Sequence, residues 1–265
     1  AVFASARKGN TIVKRVWSGN KQPFLELYKG TITNEGELID IHGFSPQINT
    51  RYHESNAVFT NDLKQVYFTG DNLKGNRVVR SSQGVVNLQL YTANVDADGQ
   101  WTNIQKLPFN SDEFNTGHPA LNSDETKLYF ISDRPESLGS TDVFVVDINA
   151  DGSFGPVNNL GPNINTTGKE LFPFIDNHNV LYFSSDGFEE GLGGLDIYAT
   201  KIDQQGGSVA AIHLDEPVNS SADDFGLVYG DNISKGYFSS NRDGGIGDDD
   251  IYFIEAQKPL KFEFN

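Results

Sequence analysis

Leu181-Tyr182-Phe183-Ser184-Ser185-Asp186, followed by Gly191-Leu192-Gly193-Gly194-Leu195-Asp196-Ile197-Tyr198, decides the reading of this chain. An apolar-aromatic run is joined by a glycine-rich connection to a second run that opens on Asp. Aromatic and β-branched residues in short runs bounded by Gly favour strands over helices. The first run recurs as Val2-Phe3-Ala4-Ser5, Val66-Tyr67-Phe68-Thr69, Leu128-Tyr129-Phe130-Ile131-Ser132 and Gly236-Tyr237-Phe238-Ser239-Ser240. The second recurs as Leu25-Glu26-Leu27-Tyr28, Leu88-Gln89-Leu90-Tyr91, Asp142-Val143-Phe144-Val145 and Asp250-Ile251-Tyr252-Phe253. The shared Phe residues, 3, 68, 130, 183 and 238, are spaced by 65, 62, 53 and 55 residues. The second marker, at 28, 91, 144, 198 and 252, is spaced by 63, 53, 54 and 54 residues, within the same range. Two markers moving together identify an internal repeat.

Other pieces fall into the same register. Asn49-Thr50, Asn165-Thr166 and Asn219-Ser220 precede the acids Glu54, Glu170 and Asp224 by one offset, and Asn110-Ser111 opens a slightly longer equivalent. A third kind of strand follows at Ala57-Val58-Phe59, Pro119-Ala120-Leu121, Phe172-Pro173-Phe174-Ile175 and Gly226-Leu227-Val228-Tyr229. Asn61-Asp62, Ser123-Asp124, Asp176-Asn177 and Asp231-Asn232 link it to the aromatic strand, as expected of side chains that bond a tight turn's backbone. A weaker fourth strand is expected near 37–41, 101–107, 154–160 and 209–214, each after a Gly-containing turn. No amphipathic helix of about 12 residues or more is visible. Four short antiparallel strands repeated at this spacing predict an all-β fold: a five-bladed β-propeller of four-stranded antiparallel blades, with six blades as the alternative. One domain over residues 1–265 is expected. The fifth innermost strand would come from before Ala1 or from the alternating tail Leu260-Lys261-Phe262-Glu263-Phe264.

Composition narrows the function. Lys and Arg number 20 against 36 Asp and Glu, a net charge of −16. Nucleic acid and anionic lipid surfaces attract the opposite balance. No run of about 18 apolar residues exists, so direct membrane insertion of this segment is not expected. With no Cys, disulfides, thiolate metal sites and cysteine nucleophiles are excluded. The chain also lacks Met and starts at Ala1, which reads as a domain excised from a longer multidomain chain.

The repeat resembles the WD40-like propeller repeat of the TolB type. The resemblance rests on 181–198, on Tyr237-Phe238-Ser239-Ser240-Asn241-Arg242 with Gly244-Gly245-Ile246-Gly247 and Asp250-Ile251-Tyr252, and on Phe130-Ile131-Ser132-Asp133-Arg134-Pro135 with Leu138-Gly139-Ser140-Thr141-Asp142. The copies at Phe3 and Phe68 depart from it, with longer insertions and no Gly-Gly-x-Asp hairpin. The run Leu160-Gly161-Pro162-Asn163-Ile164-Asn165-Thr166 is similar to propellers of PorE-type, OmpA-family envelope lipoproteins of the Bacteroidetes type IX secretion and gliding apparatus. That likeness implies a periplasmic, outer-membrane-associated domain with envelope proteins as partners, and peptidoglycan contact only through neighbouring domains.

Several residues invite chemistry. Asp243, Asp248 and Asp249 sit in an Asp/Gly loop that could gather oxygens around Ca²⁺, but the spacing is not that of an EF-hand and a solvated turn is favoured. Asp142, Asp196 and Asp250 hold one place in successive copies, which fits hairpin locking better than the paired acids of a glycosidase. His53 and His118 stand near comparable strands without any metal-binding spacing. No nucleophile elbow, phosphate loop or dinucleotide fingerprint is present. No catalysis and no cofactor are expected. The expected function is a platform for protein–protein contact, with Leu73, Lys74, Asn76 and Arg77 of the long insertion, Arg134, Glu189, Glu190 and Arg242 as partner-binding candidates in loops 73–87, 136–140 and 186–194. The alternatives are a five-bladed glycoside hydrolase and a glycan-binding module using Trp17 or Trp101.

Overall fold

The structure, a computed structural model, describes residues 1–7, 23–45, 48–50, 52–203, 206–230, 234–256 and 260. Strands are the only regular elements among the described residues. Sheet 1 has the order β1 (Val2–Ser5), β2 (Glu26–Ile32), β3 (Leu38–Gly43). Next come β4 (Glu54–Phe59), β5 (Gln65–Asp71), the small hairpin β6 (Leu73–Lys74) and β7 (Arg77–Val78), β8 (Leu88–Val95) and β9 (Trp101–Lys106), with β4-β5-β8-β9 forming sheet 2. Sheet 3 is β10 (Thr116–Leu121), β11 (Lys127–Ser132), β12 (Asp142–Asp147) and β13 (Asn158–Asn159). Sheet 4 is β14 (Glu170–Ile175), β15 (Val180–Ser185), β16 (Asp196–Lys201) and β17 (Ile212–His213). Sheet 5 is β18 (Asp224–Tyr229), β19 (Lys235–Ser240) and β20 (Asp250–Glu255).

This is an all-β, five-bladed propeller built of antiparallel meanders. Three blades show four strands. Sheets 1 and 5 show three each among the described residues, and the proposed closing strand at 261–264 lies outside them, as do Trp17 and the Asp231-Asn232 turn. Two compact units divide the chain, Ala1–Pro119 and Ala120–Asn265.

The repeat's aromatic pairs explain its spacing. Phe3 faces Tyr28, Phe68 faces Tyr91, Phe130 faces Phe144, Phe183 faces Tyr198 and Phe238 faces Tyr252 across adjacent strands. Each pair is stacked, with ring centroids 5.4–6.1 Å apart. In the first unit Leu27, Val66, Phe68 and Trp101 form one buried cluster. Trp101 is in contact with the rings of Phe44, Phe59 and Phe68, so it packs the core of this unit. In the second unit Tyr129, Ile164, Leu181 and Phe183 form one core, and Tyr182, Ile197, Leu227 and Phe238 another.

The fourth strands differ from expectation in length. β13 and β17 hold two residues each, where seven and six were expected. An asparagine side chain takes the missing pairing position. Asn165 Oδ1 accepts from Val143 N–H at 2.8 Å and its Nδ2 donates back to Val143 C=O at 3.0 Å. Asn219 does the same with Ile197, Asn110 with Leu90 and Asn49 with Leu27. An amide presents one donor and one acceptor in the geometry of a peptide, so it substitutes for a strand residue.

A second device was not visible in the sequence. The third residue of β4, β10, β14 and β18 is left-handed: Asn56, His118, Phe172 and Gly226 have φ of 39°, 50°, 51° and 68°. In β4, β14 and β18 the register shifts across this residue, a bulge. The expected turn chemistry is present, with Asp176 Oδ1 accepting from His178 and Val180 N–H and Asp62 Oδ1 from Lys64 N–H. Gly99 and Gly152, at φ 74° and 80°, supply the positive dihedral their hairpins need.

Candidate functional site

The repeated acids are held by their own sheets. Asp196 Oδ2 accepts from Leu192 and Gly193 N–H at 2.9 and 3.0 Å. Asp142 accepts from Leu138 and Gly139, and Asp250 from Ile246 and Gly247. These carboxylates tie the glycine-rich connection to the strand that follows. Gly193 serves closeness rather than dihedral freedom: a Cβ there would lie 1.9 Å from the Ala222 carbonyl oxygen. Asp196→Asn keeps an acceptor but loses its charge, so it should destabilise by about 1 kcal/mol in urea denaturation. An unchanged midpoint would contradict the locking role.

The acids Glu54, Glu170 and Asp224 do not precede their strands; each is the first strand residue. Glu170 accepts from Thr166 N–H and Oγ1–H and from Ser185 Oγ–H at 2.7–3.0 Å. Asp224 accepts from Ser220 N–H and Oγ–H and pairs with Arg242. Burial pushes the Glu170 carboxyl above its usual range.

The expected partner-binding residues divide. Lys74, Asn76 and Arg77 are exposed on the β6–β7 hairpin. The insertion is anchored where Ser82 N–H and Oγ–H donate to Glu113 and Asn87 Nδ2 donates to the Asp112 carbonyl. Glu189 and Glu190 are exposed in a turn. Arg134 is buried, over the rings of Phe130 and Phe144, with Nε bonded to Ser132 Oγ. Arg242 donates to the carbonyls of Pro217 and Val218 as well as to Asp224, all within sheet 5 or the loop leading into it. His53 and His118 are not equivalents. His53 precedes β4 and its Nδ1 accepts from Leu25 N–H, whereas His118 is the left-handed third residue of β10, its ring held neutral by burial that lowers its pKa to about 3. Asp250 is committed to backbone amides, and no cluster of three or more His, Asp or Glu suited to a metal exists among the described residues. Asp249 is raised by burial and by its neighbours Asp248, Asp223 and Asp250.

What the sequence reading missed is a cavity of about 340 Å³ in the first unit, beneath the insertion. Ile48, Glu54, Phe68, Gly70 and Tyr91 form its inner wall, and Leu73 of the hairpin closes one side. Gly75, Ile104 and Lys106, all exposed, make its rim. Glu54 is 3% exposed. Its Oε1 accepts from Thr50 Oγ–H, and its Oε2 has no partner among the described residues. Burial, reinforced by the charges of Asp71 and Glu26, raises this carboxyl to about 8. Asp71, also lining the cavity, is raised by burial and partly offset by His53. Tyr91 is raised to about 12, again by burial, and its hydroxyl donates to the Asp71 carbonyl at 2.8 Å.

Five meander sheets with these locks define a β-propeller with a TolB-like fold. TolB from Acinetobacter baumannii superposes with a TM-score of 0.54 at 10% identity, covering 89% of this chain and 47% of that one. A putative TolB from Agrobacterium tumefaciens gives 0.52 at 14% identity, with 91% and 76% covered. A thermostable family-43 glycoside hydrolase gives 0.52 at 13% identity, with 91% and 88% covered. These likenesses concern the fold, which serves both kinds of protein. No protein-family model and no curated protein matches the chain. No described helix is long and apolar enough to cross a membrane.

Proposed function

We propose that the chain is a non-catalytic propeller platform that holds protein partners in a bacterial cell-envelope assembly. The observation that carries this reading is the fate of the recurring acids. Asp142, Asp196 and Asp250 bond their own connections, and Glu170 and Asp224 bond their own strand entries, so the repeat builds a frame rather than a set of facing catalytic groups. The anchored 73–87 insertion, with Lys74, Asn76 and Arg77 outward, supplies an individual surface on that frame. The net charge of −16 favours basic or neutral partners. In this reading the domain works in the periplasm, reaches the outer membrane and peptidoglycan through neighbouring domains, and serves an assembly of the type IX secretion or gliding kind. It needs no cofactor.

The test pairs in-cell crosslinking with an activity screen. Replacing residues 74–86 by a short Gly-Ser link should lower recovery of a specific crosslinked envelope protein about tenfold while leaving the circular dichroism spectrum unchanged. Hydrolysis of any glycan in a plant and bacterial polysaccharide panel, lost in Glu54→Gln, would overturn the platform in favour of a carbohydrate-active enzyme.

A further inference from the structure

Sheet 5 explains the cavity in sheet 2. There Arg242 lies over the rings of Phe238 and Tyr252, at 5.0 and 5.1 Å from their centroids. Its Nε donates to Ser240 Oγ, and its terminal nitrogens reach the carbonyls of Pro217 and Val218 and the carboxylate of Asp224. Arg7 covers Phe3 and Tyr28 in sheet 1, and Arg134 covers Phe130 and Phe144 in sheet 3. In sheet 4 Phe188 takes the place, 4.4 Å from the Tyr198 ring. Four copies of the repeat thus cover their aromatic pair with their own side chain.

Sheet 2 does not. By repeat register, Phe68 and Tyr91 stand for Phe238 and Tyr252, Glu54 for Asp224, Gly70 for Ser240 and Ile48 for Val218. All five line the cavity. At the place of Arg242 itself stands Asn72, which turns away: its Nδ2 donates to Asp112 and its Oδ1 accepts from Lys106. Lys106 is thereby spent on Asn72 and drawn to Asp112, and does not compensate Glu54. The acid, the stacked rings and the space persist where the cation has been lost.

We propose that this cavity is an arginine socket, which takes the guanidinium of an arginine side chain presented by a partner polypeptide, stacked on the Phe68–Tyr91 pair and paired with Glu54 Oε2. The partner half of this statement rests on the platform reading; the socket half does not. The orphaned oxygen of a 3% exposed carboxyl marks the binding point. The open rim at Gly75 and Ile104 admits a side chain from outside, and the volume lies within the roughly 300–1,000 Å³ of small-ligand sites. A flat guanidinium both stacks on a ring and bonds a carboxylate, which an ammonium does less well. The charge of −16 draws the cation in.

Calorimetric titration of the whole chain at pH 8 with N-acetyl-arginine methylamide, its lysine counterpart and a short peptide with one central Arg tests the idea. The arginine probe should bind saturably and about fivefold or more tighter than lysine. Glu54→Gln should weaken it about tenfold or more. Asn72→Arg supplies the missing side chain from within and should abolish binding while the fold is kept. No binding to the native chain, or undiminished binding to Asn72→Arg, overturns the socket. Binding of the capped amino acid but not of the peptide overturns the partner side chain as the occupant. A socket that binds both probes while the crosslinking experiment fails overturns the platform alone.

Discussion

Asn219→Ala should destabilise the protein by about 3–5 kcal/mol, measured by urea denaturation at neutral pH. The Asn219 side chain is fully buried, as is Ile197. Its Oδ1 accepts from Ile197 N–H at 2.7 Å, and its Nδ2 donates to the carbonyls of Ile197 and Leu214 at 2.8 and 2.7 Å. Alanine removes all of these at once and leaves a buried amide N–H with nothing to bond, at about 1–3 kcal/mol per orphaned group. Asn219→Asp is the sharper control. It keeps the acceptor for Ile197 N–H but faces two carbonyl oxygens with a charge, so it should be no better than alanine. A loss under about 1 kcal/mol for both variants would mean that the outer strand, not the amide, carries the edge of the blade.

Raising the pH from 6.5 to 8 should lower stability by about 2 kcal/mol, and Glu54→Gln should remove most of that slope. The folded-state carboxyl of Glu54 is raised to about 8 from an ordinary 4.5. The folded protein therefore holds a proton that the unfolded chain has given up. Its stabilising contribution is complete below about 4.5 and is lost as pH rises through the folded value. His53, lowered by burial, acts oppositely, but only below its ordinary 6.5, which is why the window starts there. The other groups facing Glu54 are Glu26 on β2, Asp71 on β5, Tyr91 on β8 and Lys106 on β9. Gln keeps an acceptor for Thr50 and cannot ionise. Equal slopes in the two proteins would show that Glu54 is already charged at neutral pH.

Much of the architecture was legible because its causes are local. Phe183 and Tyr198 belong to one hairpin, so their stacking leaves a spacing that recurs. Asp196 bonds amides three and four residues before it, so its role follows from position alone. The boundaries of the first strands were less legible. Glu170 enters β14 because it pairs with Ser185, and such a partner is chosen across the sheet. His53 and His118 looked alike by neighbourhood but fall on opposite sides of a strand start, and the left-handed position that holds His118 has no composition of its own: Asn, His, Phe and Gly all occupy it.

The amino-acid sequence alone determined the repeating four-strand unit, its ring pairs and the acids that lock its hairpins, because each of these arises between residues close along the chain or repeated at one interval. Tertiary structure alone decided that one of the acids opening the first strands is left wanting. Glu54 differs from Glu170 and Asp224 only when Gly70 and Asn72 are brought beside it and the hairpin is folded over it. An unmet hydrogen bond belongs to a space enclosed by several strands, and no single stretch of sequence contains that space.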